Sequence, residues 1–319
     1  MSISVRTWCL IGLLLLLAAV PPAAAYFGQP FYLDLLRRVM IFGIAATSLN
    51  LILGYGGLVS FGHAAYLGIG AYAVGILAYH GIDNGWLQFG LAIGVSALVA
   101  AAIGSISVRT SGIYFIMITL AFTQMLYYLG ISIEEYGGDD GLRLKARSQF
   151  SGLIDLNDAT AFYYLVFAIL ALFLYLTHRL VNSRFGLVLQ AARSNEARTR
   201  AIGISPYPYR LAAFIISGAM CGVAGALLAN HTAYLTPDFM NWTRSGELMF
   251  MVILGGIATS AGPLLGAAGL LLLEDLLQGW SVLPTWVNEH WQLYLGIILI
   301  LVVLFARRGL AGLLPGKHD

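Results

Sequence analysis

The sequence predicts an all-α fold, a polytopic transmembrane helical bundle of about ten spans (eight to ten). Three observations predict it. Hydrophobic residues make up 59% of the chain and charged residues 10%, against about 25% charged in a soluble domain. The mean hydropathy is +0.82. The apolar runs repeatedly approach the roughly 20 residues a crossing helix needs; they are too long for barrel strands and lack their alternation. The net charge of +2 is no sign of nucleic-acid binding, because the positive charge collects at the ends of apolar runs.

Taken in order, the runs place spans near 8–26, 37–54, 61–79, 88–107, 111–130, 160–178, 211–231, 245–258, 262–278 and 291–306. The first has Arg6, the Leu10–Leu17 run and Ala23, Ala24 and Ala25, the make-up of a signal peptide. A retained span is the expectation, because another hydrophobic segment follows closely. Residues 1–34 are thus a signal-like first span with an outer link, 35–306 the transmembrane domain, and 307–319 a cytoplasmic tail. Spans 245–258 and 262–278 are short and joined only by Thr259, Ser260 and Ala261, so one broken helix or a re-entrant pair is an alternative. Glycine concentrates in two patches, Gly54–Gly75 and Leu254–Gly269. Small residues let helix backbones approach closely or break where a cavity is lined by protein. The similar positions of the patches suggest a weak internal duplication, as in many transporters.

One polar stretch interrupts this pattern. Arg179–Arg210 holds six arginines and a single acid, Glu196. It is large for a turn and small for a catalytic domain, and reads as a docking surface. Loops rich in Lys and Arg stay cytoplasmic, which places 179–210 inside, with Arg109 and the tail residues Arg307, Arg308 and Lys317. The same alternation puts the acidic Glu134–Asp158 loop outside, where Arg37 and Arg38 also fall, against the rule. Within the basic stretch, Gln190–Ile202 suits a short helix ended by Gly203 and kept from continuing by Pro206 and Pro208. Glu196 and Arg200, four apart, are placed to pair.

Chemistry is scarce elsewhere. There is no HExxH, no close cysteine–histidine cluster and no serine with a base; neither glycine patch has the Lys and Ser/Thr of a phosphate loop. The chain is therefore read as no enzyme, binding no metal or cofactor of its own. Cys9 and Cys221 suit small buried hydrophobes. The acidic pairs Asp139–Asp140 and Glu274–Asp275 belong at or near the outer surface. An ion-coupled transporter needs a carboxylate well inside a span; Glu247 is the best candidate but is expected at the interface, with Glu274 next. The neutral residues Asn50, Ser60, Thr119 and Gln124, with His63, are candidates to line a pathway, the alternatives being helix-bridging hydrogen bonds and, for His63, a packed helix start.

Three stretches carry a resemblance: Asn50–Tyr72, the outer GGDDGL at Gly137–Leu142, and Arg193–Leu227 followed by Val252–Ala267. In order and spacing they resemble the M-type permease subunit of ABC importers for branched-chain amino acids, from about residue 35 to 306. The resemblance implies a bacterial inner-membrane complex with a homologous permease subunit, two cytoplasmic ATPase subunits that use ATP and magnesium, and a periplasmic substrate-binding protein. It implies that Arg193, Asn195, Glu196, Ala201, Gly203 and Ile204 match the ATPase-coupling motif. Arg198 and Thr199 depart from the small residues common after the motif's glutamate, which bears on which ATPase docks. The function implied is alternating-access import of branched-chain or related amino acids; the same importer type for urea or short amides is the alternative, ahead of an ion-coupled secondary transporter or a channel.

Overall fold

Apolar runs of this length satisfy their backbone only as helices when lipid surrounds them, and the computed structural model folds them so. It describes residues 5–28, 30–150, 154–279, 290–305 and 309–313. Arg307, Arg308 and Lys317 lie outside the described residues, as do the side chains of Arg6 and Cys9. The helices are α1 (Val5–Phe27), α2 (Pro30–Asn50, continued by a π turn at Leu51–Tyr55), α3 (His63–Tyr79), α4 (Gly85–Ser107), α5 (Ile113–Ser132) and α6 (Ala159–Val181). After them come α7 (Arg184–Ser194), α8 (Glu196–Ala201), α9 (Pro206–Thr232), α10 (Trp242–Gly255), α11 (Gly262–Gly279) and α12 (Trp291–Phe305). Five described segments are long and apolar enough to cross a membrane, namely Phe31–Tyr55, α4, α5, α6 and α9; Ile11–Ala24, α3 and Trp291–Val302 are shorter apolar stretches.

Local chemistry sets the helix starts. Asn84 caps α4 by accepting from the Trp86 N–H at 3.0 Å, and Asp158 caps α6 by accepting from Thr160 N–H at 3.0 Å; such caps satisfy amides that have no partner within the helix. Pro206 opens α9, where its missing N–H costs nothing.

α3, α4 and α9 all pack against one another, and α2 lies against α6, α9 and α11. The α3–α9 contact is backbone on backbone: a Cβ at Gly70 would strike the Gly222 carbonyl, and one at Gly225 the Leu67 carbonyl. Beside it, the buried rings of Tyr66 and Phe214 meet edge to face at 5.9 Å, and Phe115 meets Phe214 at 6.1 Å. Spans 245–258 and 262–278 are two separate helices, α10 and α11, pressed together at Gly255, Gly262 and Gly266. The two glycine patches meet in space, since Gly54 lies against Asn50 and the Ala258 backbone.

The described parts of the acidic loop, 134–150 and 154–158, pack at one end of the helices. Its strands are short: β1 (Leu142–Arg143) pairs with β4 (Tyr234–Leu235), and β2 (Gln149–Phe150) with β3 (Ile154–Asp155). Buried Ser148 anchors it, donating its N–H to Asn230 Oδ1 at 2.8 Å and its hydroxyl to Gln88. Arg37 and Arg38, the exceptions to the charge rule, are both neutralised at this end. Arg37 is buried, donates to Asp34 and to His231 Nδ1 at 3.1 Å, and stacks over Phe162 at 4.7 Å. Arg38 pairs with Glu274 at 3.7 Å.

Candidate functional site

The basic stretch folds as two helices, not the single Gln190–Ile202 helix expected. Asn195 adopts φ −157°, ψ 102°, an extended conformation that ends α7 and caps α8 by accepting from Arg198 N–H at 2.9 Å. The cause is the Asn side chain, which competes with helix continuation by bonding the backbone ahead of it. Glu196 then sits in the first turn of α8, where the helix dipole favours a negative charge. Its two oxygens hold two arginines, Arg200 at 2.5 Å and Arg210 of α9 at 2.8 Å. Arg210 also donates to the Ala192 carbonyl at 3.3 Å, so α7, α8 and α9 share one clamp.

Gly203 ends α8 at φ +86° with a paired C-terminal motif: Gly203 N–H to Arg200 O at 2.9 Å and Ile204 N–H to Thr199 O at 3.3 Å. Open space surrounds it, so the positive φ alone calls for glycine. Asn195, Ala201 and Gly203 are exposed and Ile204 is half-buried. Arg193 turns the other way. Its guanidinium donates to the Gly54 carbonyl, and its aliphatic stem lies against Gly57. Sequence spacing brings Asn195, Glu196, Ala201, Gly203 and Ile204 to one short stretch; only the fold ties Arg193 to the bundle.

A second polar locus lies at helix starts inside the bundle. The chain from β4 descends along α3: Leu235 packs at Gly75, Met240 at Gly68, and Ser245 Oγ accepts from Ala64 N–H at 2.9 Å. The Phe61 carbonyl, just before α3, accepts from Ser245 at 2.8 Å and from Thr123, in the middle of α5, at 3.1 Å. α3 and α10 therefore both start level with the centre of a crossing helix. α10 begins at Trp242, three residues earlier than the apolar run suggests, after a 3₁₀ turn at Pro237–Met240. This corrects the start of Glu247's helix: Glu247 lies five residues past the first residue of α10 rather than about two, paired with Arg244 at 2.8 Å.

The pathway candidates divide. Asn50 is buried and spent on the α10–α11 link, donating to Thr259 O at 3.0 Å and accepting from Ala258 N–H at 3.0 Å. Ser60 accepts from Gly62 N–H at 3.0 Å, and Thr119 accepts from Phe61 N–H at 3.3 Å. His63 bonds Ser217 at 2.7 Å through Nε2, and Ser217 in turn donates to Ser48 O at 2.5 Å. That chain makes Nε2 the protonated nitrogen. His63 Nδ1 and Gln124 Nε2 are buried without a hydrogen-bond partner among the described residues. Cys221 is buried, its thiol on the His63 carbonyl at 3.4 Å. Sequence reading missed Phe61, Thr123, Trp242, Arg244 and Ser245 as site residues; the Thr236–Pro237 and Asn241–Trp242 helix-start signals were the available clue.

The comparisons with known proteins agree on a family. The profile described as "Branched-chain amino acid transport system / permease component" matches residues 31–304. The high-affinity branched-chain amino acid transport system permease protein LivM of Salmonella typhimurium is 28% identical over 301 residues, covering 87% of this chain and 69% of the relative. LivM of Escherichia coli is 28% identical over 305 residues, with the same coverage of 87% and 69%. A probable LivM of Methanocaldococcus jannaschii is 26% identical over 336 residues, covering 89% of this chain and 94% of the relative. No solved structure matches the chain. With its membrane-length helices, the chain is a multi-pass membrane protein, and it belongs to the family of branched-chain amino acid transport permease components.

Proposed function

We propose that this chain is the transmembrane subunit of an ATP-driven importer that moves branched-chain or related amino acids into the cell by alternating access. ATP hydrolysis takes place in two separate cytoplasmic ATPase subunits, a homologous permease completes the route, and a periplasmic binding protein delivers the substrate to the acidic 134–158 loop. The names of the LivM relatives support the substrate class. The observation that carries the reading is the basic stretch tied at both ends. Glu196 holds α8 to α9 through Arg210, and Arg193 holds α7 to the turn before α3. A displacement imposed on exposed Asn195, Ala201 and Gly203 by an ATPase groove therefore reaches α9 and the α2–α3 break together. Of the pathway candidates, Gln124 keeps an unspent donor for substrate, while Asn50, Ser60 and Thr119 hold helix ends in place.

The test is joint substitution of Glu196→Ala and Gly203→Ala. Loss of ATP-dependent amino-acid uptake with normal membrane insertion is the expected result. Full uptake by that variant would remove the coupling role.

A further inference from the structure

The Arg244–Glu247 pair stands where charge is least tolerated. Thr123 and Ser245 both hold the Phe61 carbonyl, and Thr123 is at the middle of the crossing helix α5. The first two turns of α10 thus lie within the hydrocarbon layer that α5 spans. At that depth charged side chains are costly against lipid, and face a protein-lined, water-filled route instead. This chain does not enclose them: the Arg244 and Glu247 side chains are 36% and 40% exposed. Thr243 beside them is exposed too, and Trp242, tilted against Phe61 at 6.3 Å between ring centres, presents an apolar surface at the same helix start. A cation, an anion and an aromatic surface together complement one chemical class, an α-amino acid zwitterion with an apolar side chain.

We propose that Arg244 and Glu247 form the polar half of a transit site for such a zwitterion. The guanidinium takes the substrate carboxylate, the Glu247 carboxylate takes the ammonium group, and Trp242 with Phe61 lies along the side chain. When the site is empty the two side chains satisfy each other. Entry of a zwitterion therefore exchanges one ion pair for two, so neither charge is left bare, and release restores the original pair. A transit site needs this balance, since binding must be weak enough to let the substrate leave. The proposal rests on the importer reading above.

The experiment separates the two. Thr243→Cys leaves both charges in place; it is treated in native membranes with a membrane-impermeant methanethiosulfonate reagent, alongside Leu98→Cys in the middle of α4, where Leu98 is 70% exposed. Faster labelling at position 243 than at 98 is expected, as is slowing by excess leucine during ATP turnover. Equal, negligible labelling at the two positions would overturn the proposal by showing that α10's face is sealed. Arg244→Gln and Glu247→Gln, in the complete importer in vesicles, are expected to lower leucine uptake about tenfold or more while ATP hydrolysis stimulated by the loaded binding protein persists. Unchanged uptake in both would also overturn it. Labelling of the Thr243→Cys variant with no ATP-driven uptake by the wild type would sink the importer reading instead, leaving the water-filled face standing.

Discussion

Arg193 of α7 donates to the carbonyl oxygen of Gly54, in the π turn that ends α2, across 139 positions of sequence. Carbonyls in the last turn of a helix lack donors of their own, and the guanidinium supplies one while its stem covers Gly57. Under the proposed function this contact links the ATPase-facing segment to the break before α3. Arg193→Ala is expected to insert normally and to lower ATP-driven uptake about tenfold or more, the loss of a charge-assisted hydrogen bond. Arg193→Lys keeps the charge without the planar fork and should recover part of the rate. Uptake equal to wild type in Arg193→Ala would show that the contact transmits nothing.

Glu196 makes two ion pairs of unequal weight. Arg200 is 67% exposed, so its pair is worth less than about 1 kcal/mol and is screened by salt. Arg210 is only 11% exposed, and removing its carboxylate strands a largely buried cation, at about 1–3 kcal/mol. Glu196→Gln should therefore lower the apparent unfolding midpoint in detergent clearly, and Arg200→Ala hardly at all. Equal shifts for the two variants would contradict this division.

The helical bundle, the Glu196–Arg200 pair and the stop at Gly203 were all legible in the sequence, because each follows from local spacing or hydropathy. The break at Asn195 was not. An asparagine inside a polar helical pattern fits either a helix interior or a cap, and spacing alone does not say that its side chain will take the Arg198 N–H and end the helix. Contacts between distant positions were equally hidden: Arg193 with Gly54, Asn50 with Ala258 and Thr259, and Arg37 with His231. The start of Glu247's helix was misplaced because hydropathy registers where a helix becomes apolar, whereas α10 starts earlier, at the Asn241 cap after a 3₁₀ turn.

Asn50 is a bidentate tie, with its donor on Thr259 O and its acceptor on Ala258 N–H, and is 1% exposed. Asn50→Leu leaves both backbone groups unpaired, each costing about 1–3 kcal/mol if it stays buried. Asn50→Asp keeps the acceptor but loses the donor and buries a charge. Both variants should lower the unfolding midpoint and open the 256–261 link to proteolysis. Wild-type protease resistance in Asn50→Leu would mean that the α10–α11 packing alone holds the link.

The α3–α9 contact gives the sharpest steric test. At Gly70 an added Cβ meets the Gly222 carbonyl, a backbone atom that no rotamer change can move aside. Gly70→Ala must therefore push α3 from α9 and disturb the buried Tyr66–Phe214 contact next to it, an overpacking cost of about 1–3 kcal/mol. Gly90 and Gly94 on α4 have nothing within 4 Å of an added Cβ. There alanine only improves helix propensity, by up to about 1 kcal/mol. Detergent unfolding midpoints should thus fall for Gly70→Ala and hold or rise for Gly90→Ala and Gly94→Ala. If Gly70→Ala matched the α4 variants, the helices would have room to separate, and close backbone packing would not be what fixes α3 against α9.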